Sequence, residues 1–171
     1  MSDILVVYYS RKGENYMPGG IQPLEKGHTE RAAEYIRDAS GADLFEIKTV
    51  KSYAEHYREC CAQAAEEMKS GARPAIRGFV EDISRYRTVF VCFPCWCGTA
   101  PMCVFTFLEH YDLTGKTVIP LCTNEGSGMG NALKDLQRSC KGAEVRSGLA
   151  VLGHQVENSK DQLTDWAKTQ I

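Results

Sequence analysis

The chain has 171 residues, of which 43% are hydrophobic and 25% charged, and its formal net charge is −2. This length predicts a single domain with its own core. The weak charge, without blocks of like residues, disfavours nucleic acid as a partner. No apolar stretch approaches the roughly 20 residues that cross a bilayer, and the chain starts without a signal-peptide pattern. We therefore expect no membrane association and a cytoplasmic location.

Apolar runs alternate with helix-compatible stretches along the whole chain. The runs that predict buried strands are 4–9, 44–47, 89–93, 117–122 and 145–152. The stretches that predict helices are 29–39, 53–70, a segment around 104–108, 131–139 and 159–168. Pro120 interrupts the fourth run, and proline is unusual in a central strand, but the regular alternation outweighs it. The pattern predicts a three-layer α/β domain over residues 1–171, with a parallel sheet covered on both faces.

The first loop of interest follows the first predicted strand. It runs Ser10-Arg11-Lys12-Gly13-Glu14-Asn15, continues into an insertion that ends at Lys26, and meets Gly27-His28-Thr29 at the start of the first helix. A helix N-terminus favours an anion because its N–H groups are free and its dipole is positive there. Hydroxyls from Ser10 and Thr29 and a charge from Arg11 or Lys12 would complete a phosphate site. The alternative is an ordinary turn, with Thr29 as an N-cap.

Two more loops follow the third and fourth predicted strands. Residues 94–101 contain Trp96, whose indole offers a flat surface, and Gly98, where a ligand can approach the backbone closely. Residues 123–130 are rich in glycine, which is typical of a ligand loop and also of a flexible surface loop. In a sheet of order 2-1-3-4-5 the three loops share one edge, and the first two flank the crevice at the switch point. A phosphate site beside an aromatic platform predicts a phosphorylated, flat ligand.

These segments resemble the short bacterial flavodoxin-like proteins, whose members bind FMN. The resemblance covers nearly the whole chain in order and rests on residues 6–13, 27–30, 41–47, 96–101, 113–116 and 126–128. It implies a five-stranded parallel sheet of order 2-1-3-4-5 and FMN as the cofactor. It also implies that Ser10, Lys12, Asn15 and Thr29 hold the FMN phosphate. The isoalloxazine would lie against residues 94–98 and 123–130.

The resemblance and the loops together give one set of cofactor-binding candidates. Its members are Ser10, Arg11, Lys12, Gly13, Asn15, His28, Thr29, Pro94, Cys95, Trp96, Cys97, Gly98, Thr123, Asn124, Glu125, Gly126, Ser127 and Gly128. The chain departs from the family pattern in two places. Residues 14–26 interrupt the phosphate loop, so that His28 stands where a helix-start donor is usual. Cys97 replaces a second aromatic residue, a role that Tyr16 of the insertion could fill.

Cysteine chemistry is the other possibility that the sequence raises, because the chain has eight cysteines. Cys92, Cys95, Cys97 and Cys103 lie close together, but zinc sites use paired ligands from two separated segments. We therefore predict no metal site. A redox pair of Cys95 and Cys97 stays open beside the simpler interpretation that small residues let the flavin pack against the backbone.

The three loops contain no nucleophile triad, catalytic histidine or carboxylate pair, so the expected chemistry is that of the flavin itself. The predicted function is electron transfer through non-covalent FMN to a redox partner protein or a small electron acceptor. An FMN-dependent NAD(P)H oxidoreductase acting on quinones or similar acceptors is the alternative, followed by a flavin- or nucleotide-binding module without activity. Glu125, if it faces the flavin, is expected to lower the reduction potential. The sequence does not indicate an oligomeric state.

Overall fold

The computed structural model describes residues 2–171. Its strands, in chain order, are β1 (Ile4–Tyr8), β2 (Gly13–Met17), β3 (Gly20–Leu24), β4 (Asp43–Glu46), β5 (Thr88–Pro94), β6 (Thr117–Asn124), β7 (Glu144–Val145) and β8 (Leu149–Leu152). Its α-helices are α1 (His28–Ser40), α2 (Tyr57–Ser70), α3 (Met102–Glu109), α4 (Ala132–Ser139) and α5 (Lys160–Thr169). The predicted alternation of strands and helices is present, with β2 and β3 as an addition. No helix within residues 2–171 is long and apolar enough to span a membrane.

A parallel sheet forms the middle layer. The strands pair in the order β4-β1-β5-β6, and β6 then pairs with β7 and, further along, with β8. Val6 of β1 lies between Leu44 of β4 and Phe90 of β5 in this register. When β7 and β8 are counted as one interrupted strand and the β2–β3 pair is set aside, the order is 2-1-3-4-5. The predicted flavodoxin-like fold class is confirmed.

Helices cover both faces of the sheet, which gives the predicted three layers. On one face, Ala32, Ala33 and Ile36 of α1 pack with Leu163 and Ala167 of α5 against the strands. The residues of α1 recur at intervals of three and four, which places them on one side of a helix. On the other face, the buried side chains of α3 and α4 pack against β5 and β6. The carboxyl ends of β1, β5 and β6 are left at one edge, where their loops emerge.

Pro120 lies inside β6, between β5 and the outermost strand. On the outer side, the pairing of Val118 with Val145 stops, and it resumes only at Leu121 with Leu149. Proline has no N–H to donate to a neighbouring strand, so the ladder is interrupted at its level. Gly148 adopts a φ of 70° at this break. The predicted fifth strand, 145–152, is therefore two short strands.

The insertion contains a two-stranded antiparallel sheet, β2 and β3, which the sequence did not predict. It is held to α2 by Glu14, whose carboxylate accepts a hydrogen bond of 2.7 Å from the backbone N–H of Tyr57. This hydrogen bond lowers the pKa of Glu14.

Helix α2 begins at Tyr57 and not at Tyr53, as the sequence predicts, because His56 has an extended backbone. Tyr53 packs against Trp96 instead.

Candidate cofactor site

The first loop is built around the start of α1. The N-cap residue Gly27 provides no side-chain acceptor, and the hydroxyl of Ser10 accepts a hydrogen bond of 3.1 Å from the N–H of Glu30 instead. A Cβ atom on Gly27 would lie 2.6 Å from the carbonyl oxygen of Arg11. Because Gly27 has no side chain, the start of α1 can pack directly against Arg11 of the first loop. The positive end of the α1 dipole faces this loop.

Asn15 and Arg11 hold the loop in shape from within. The amide of Asn15 donates to the carbonyl oxygens of Arg11 at 2.9 Å and Gly13 at 3.2 Å. The guanidinium of Arg11 donates to the carbonyl oxygens of Glu14 at 2.8 Å and Glu55 at 2.6 Å. These hydrogen bonds connect the end of β1 to the hairpin and to the segment before α2. Arg11 is thus a fixed positive charge at the sheet edge.

The second loop is a tight two-residue turn. The N–H of Trp96 donates to the carbonyl of Thr99 at 2.8 Å, and the N–H of Thr99 donates back at 3.1 Å. The two residues between them, Cys97 and Gly98, have φ values of 53° and 76°. Positive φ at both central positions is the type I′ pattern of short hairpins. This turn fixes where Trp96 stands at the end of β5.

Two tyrosines hold the indole of Trp96. The ring centroids of Tyr9 and Tyr53 lie 5.2 Å and 5.0 Å from it, each in an edge-to-face arrangement. Both tyrosine hydroxyls stay neutral, because burial raises their pKa strongly. Trp96 is half-buried against the core on one side and lines an open cleft on the other. These contacts hold Trp96 at the wall of the cleft.

The third loop is organised by Asn124. Its side-chain oxygen accepts hydrogen bonds from the N–H groups of Gly126 at 2.9 Å and Gly128 at 3.0 Å, and its amide donates to Val151 at 3.2 Å. The loop also contacts the second one, because the N–H of Asn131 donates to the carbonyl of Gly98 at 2.7 Å. The N–H groups of Gly126 and Gly128 are therefore already used inside the loop.

Glu125 lies between two histidines. Its carboxylate accepts from the backbone N–H of His154 at 2.9 Å and lies 2.5 Å from Nδ1 of the same residue. Nε2 of His28 lies 3.9 Å from Oε1 of Glu125, the oxygen that accepts the N–H of His154, and 3.1 Å from the sulfur of Met17. Burial lowers the pKa of His28, which favours its neutral form at pH 7. The cluster places proton-carrying groups at the edge of the sheet.

Cys95 has surroundings that favour a thiolate. Its neighbours Cys122 and Ser127 and the N–H of Gly98 lower its pKa to about 6, although burial opposes this. Cys122 is fully buried, and its pKa is raised by the same contact with Cys95.

The three loops meet in an open cleft of about 270 Å³. It brings together ten of the predicted binding residues, namely Arg11, Asn15, His28, Pro94, Cys95, Trp96, Thr123, Asn124, Glu125 and Ser127. The other candidates lie in the same loops outside the lining, namely Ser10, Lys12, Gly13, Thr29, Cys97, Gly98, Gly126 and Gly128. The hydroxyl of Thr29 is buried and pairs with that of Thr123 at 2.7 Å. Lys12 is exposed beside the loop.

Further residues of the cleft carry no signal in the sequence. Tyr57 lines it from the start of α2, and its ring centroid lies 6.3 Å from that of Tyr16 on the hairpin. Tyr16 also lines the cleft, and its role as a second aromatic contact stays a prediction. Gly153 lines it after β8, where a Cβ atom would lie 2.7 Å from Oε1 of Glu125. Tyr57 and Gly153 are brought in only by tertiary contacts.

Comparison with known proteins gives one family. The flavodoxin family model matches residues 24–170. A structure of a Bacteroides uniformis protein described as a flavoprotein has a TM-score of 0.76 at 29% identity and covers 96% of this chain and 97% of its own. The corresponding protein of Bacteroides eggerthii has a TM-score of 0.71 at 29% identity and covers 94% and 96%. A Lactobacillus acidophilus flavoprotein in complex with FMN shares the fold, with a TM-score of 0.65 at 19% identity over 91% and 96%. No curated protein matches the sequence.

Proposed function

The chain belongs to the flavodoxin family, and we propose on this basis that it binds FMN non-covalently and transfers electrons through it. One observation carries the proposal: the loops after β1, β5 and β6 meet in a single cleft that has a helix N-terminus and an indole in its walls. Bound FMN would supply one- or two-electron transfer. The protein supplies binding, orientation and a fixed electrostatic environment.

The phosphate end of FMN fits the first loop. The α1 N-terminus is capped by the neutral hydroxyl of Ser10 and not by a carboxylate, so no negative side chain occupies the cap position. Arg11 adds a positive charge that is held by two hydrogen bonds, and Lys12 is free to swing toward an anion from its exposed position. A helix N-terminus with nearby cations is a common binding site for phosphate.

The flat end of FMN fits the rest of the cleft. Trp96 presents an indole that Tyr9 and Tyr53 keep in place, and Tyr16 and Tyr57 line the same space. Because the contacts with Tyr9 and Tyr53 restrict the indole of Trp96, little side-chain freedom of that residue is lost on binding. The cleft is open on one side, so an edge of the ligand would remain accessible to a redox partner protein or a small electron acceptor.

The test is a binding comparison on the purified full chain. Flavin absorbance after purification, and FMN released by denaturation and identified by chromatography, would support the proposal. Flavin-free protein is then titrated with FMN and with riboflavin, which lacks the phosphate. We expect FMN to bind about tenfold or more tightly, because hydrogen bonds to a charged group contribute roughly 1.5–3 kcal/mol. Equal affinities would remove the phosphate site from the proposal, and no binding of either would refute it.

A second candidate is an FMN-dependent NAD(P)H oxidoreductase acting on quinones or similar acceptors. The observation that favours it is the cluster of Glu125, His28 and His154, of which Glu125 and His28 line the cleft. Two-electron reduction of a quinone takes up protons, whereas one-electron transfer between proteins does not require them. Steady-state oxidation of NADH and NADPH by the flavin-loaded chain, with and without a quinone, separates the two candidates.

A further inference from the structure

We propose that Glu14 is a positioning residue of the cofactor cleft: it joins the β2–β3 hairpin to α2, so that Tyr16 and Tyr57 form one aromatic wall that retains FMN. The link between the hairpin and the helix belongs to the protein without a ligand. Its effect on FMN rests on the proposed function.

Helix α2 receives its N-terminal cap from the hairpin and not from its own sequence. The N-cap residue His56 makes no side-chain cap hydrogen bond, although the first N–H groups of a helix have no acceptor within it. One oxygen of the Glu14 carboxylate accepts the N–H of Tyr57 at 2.7 Å, and the other lies 3.3 Å from Nδ1 of His56. The helix dipole also favours a negative charge at this end. A residue 43 positions earlier in the chain therefore caps α2.

The two elements that Glu14 joins are weakly anchored by themselves. No residue of β2 or β3 is buried, and α2 buries only Cys60 and Ala64. Elements with so little buried apolar surface are the parts of a protein that open most easily. A hydrogen bond to an ionised acceptor is stronger than one between neutral groups, so the Glu14 contact stabilises each element by holding it to the other.

The link sets the shape of the cleft, because the residues next to it line that cleft. Asn15 and Tyr16 follow Glu14 on β2, and both are lining residues, as is Tyr57 at the start of α2. Side chains two positions apart on a strand point to the same face, so Glu14 and Tyr16 both reach α2. The rings of Tyr16 and Tyr57 have centroids 6.3 Å apart, with 31° between their planes. Glu14 thus holds these two rings together as one wall.

Other contacts keep the hairpin in place when Glu14 is altered. The guanidinium of Arg11 donates to the carbonyl oxygens of Glu14 at 2.8 Å and Glu55 at 2.6 Å, and so spans the same gap. Met17, on the opposite face of β2, has its sulfur 3.1 Å from Nε2 of His28 in α1. Loss of the Glu14 carboxylate should therefore loosen the wall on the side of α2 without unfolding the domain.

The first experiment measures hydrogen exchange of the flavin-free full chain by mass spectrometry. In Glu14→Ala we expect faster exchange in peptides that cover β2, β3 and the first turn of α2, and no change in β1 and β5. Glu14→Gln keeps an oxygen that can accept the N–H of Tyr57 and should exchange more slowly than the alanine variant. Glu25→Ala removes an exposed acid of the same insertion and is the matched control. Unchanged exchange in Glu14→Ala, or equally faster exchange along the whole chain, would overturn the proposal.

The second readout is the rate at which FMN leaves the loaded chain, followed by flavin fluorescence after dilution. We expect release from Glu14→Ala to be about fivefold faster, the factor that corresponds to loss of a typical helix cap. Glu14→Gln should lie closer to the unaltered chain, and Glu25→Ala should match it. An unchanged release rate despite faster exchange of the hairpin would overturn the role of this wall in retaining FMN. A chain that shows the expected exchange but binds no FMN would contradict the proposed function and leave the link between hairpin and helix supported.

Discussion

Glu125 and His154 are joined twice, because the carboxylate accepts the backbone N–H of His154 at 2.9 Å and lies 2.5 Å from its Nδ1 atom. The contact ties the loop after β6 to the turn after β8. Gly153 lies beside this contact in the wall of the cleft. A side chain at that position would collide with Glu125 and His28. Glu125 is thereby held at the cleft and cannot turn away into solvent.

Replacement of Glu125 by glutamine should raise the midpoint potential of bound FMN. Reduction adds negative charge to the flavin, and a neighbouring carboxylate disfavours it. Glutamine keeps an oxygen that can accept the N–H of His154, so the loop should stay in place. A redox titration of the flavin-loaded chain measures the effect. Glu81→Gln, which neutralises an exposed carboxylate ahead of β5, is the control. Equal potentials in all three proteins would contradict a role for Glu125.

Trp96→Ala should weaken FMN binding by about tenfold, because a well-packed aromatic pair contributes roughly 0.5–1.5 kcal/mol beyond the area it buries. Trp96→Phe keeps a flat ring and should lose less. Fluorescence titration gives both dissociation constants. Urea unfolding is measured in parallel, since Trp96 also packs against Tyr9 and Tyr53. If the alanine variant binds FMN normally and is as stable as the unaltered chain, the indole is not a contact.

Gly27→Ala should lower the free energy of unfolding by about 1–3 kcal/mol, a usual cost of overpacking. The new Cβ atom would lie 2.6 Å from the carbonyl oxygen of Arg11, a backbone atom that cannot move aside easily. We also expect weaker FMN binding, because the Ser10 cap is displaced with it. Gly78→Ala is the matched control, since that position has open space around it. Similar stability of the two variants in urea would show that the close approach does not matter.

Cys97→Asn should raise the free energy of unfolding by roughly 0.5–1 kcal/mol, because asparagine tolerates the left-handed region better than other residues with a side chain. Cys97 is the sole residue other than glycine in 2–171 with a positive φ. Cys97→Val should have the opposite effect, because a β-branched side chain is strained there. Urea unfolding of the two variants beside the unaltered chain tests the sign. A stabilising valine would be incompatible with the turn geometry.

Alkylation of Cys95 should reach half its maximal rate near a pH of about 6, the value to which its pKa is lowered. The sign follows from the donors around the sulfur: they favour the thiolate, so the reactive form persists to lower pH than in a free cysteine. Ser127→Ala removes one donor and should raise the midpoint. Iodoacetamide labelling at a series of pH values, resolved by peptide, measures it. A midpoint near the ordinary value of about 8.5 would contradict this prediction.

Most of the fold could be predicted from the sequence because it depends on local patterns. The continuous apolar runs identify strands that are buried on both faces, and the glycine after α1, Gly41, has the left-handed backbone of a helix C-cap. The hairpin β2–β3 could not be found in this way. Its strands are short, contain no buried residue and include Pro23, so they lack the alternation that marks a strand. Its pairing depends on the turn and on the contact of Glu14 with Tyr57.

The sequence by itself determined the order of strands and helices, and with it the three loops that meet at one edge, because the carboxyl ends of parallel strands all face the same way. Only the tertiary structure decided which side chains touch there. The N–H of Asn131 meets the carbonyl of Gly98, which joins the loops after β5 and β6, because these strands lie side by side in the sheet. Glu125 meets His154 because β6 and β8 run side by side. Such contacts join residues remote in sequence, and no local pattern encodes them.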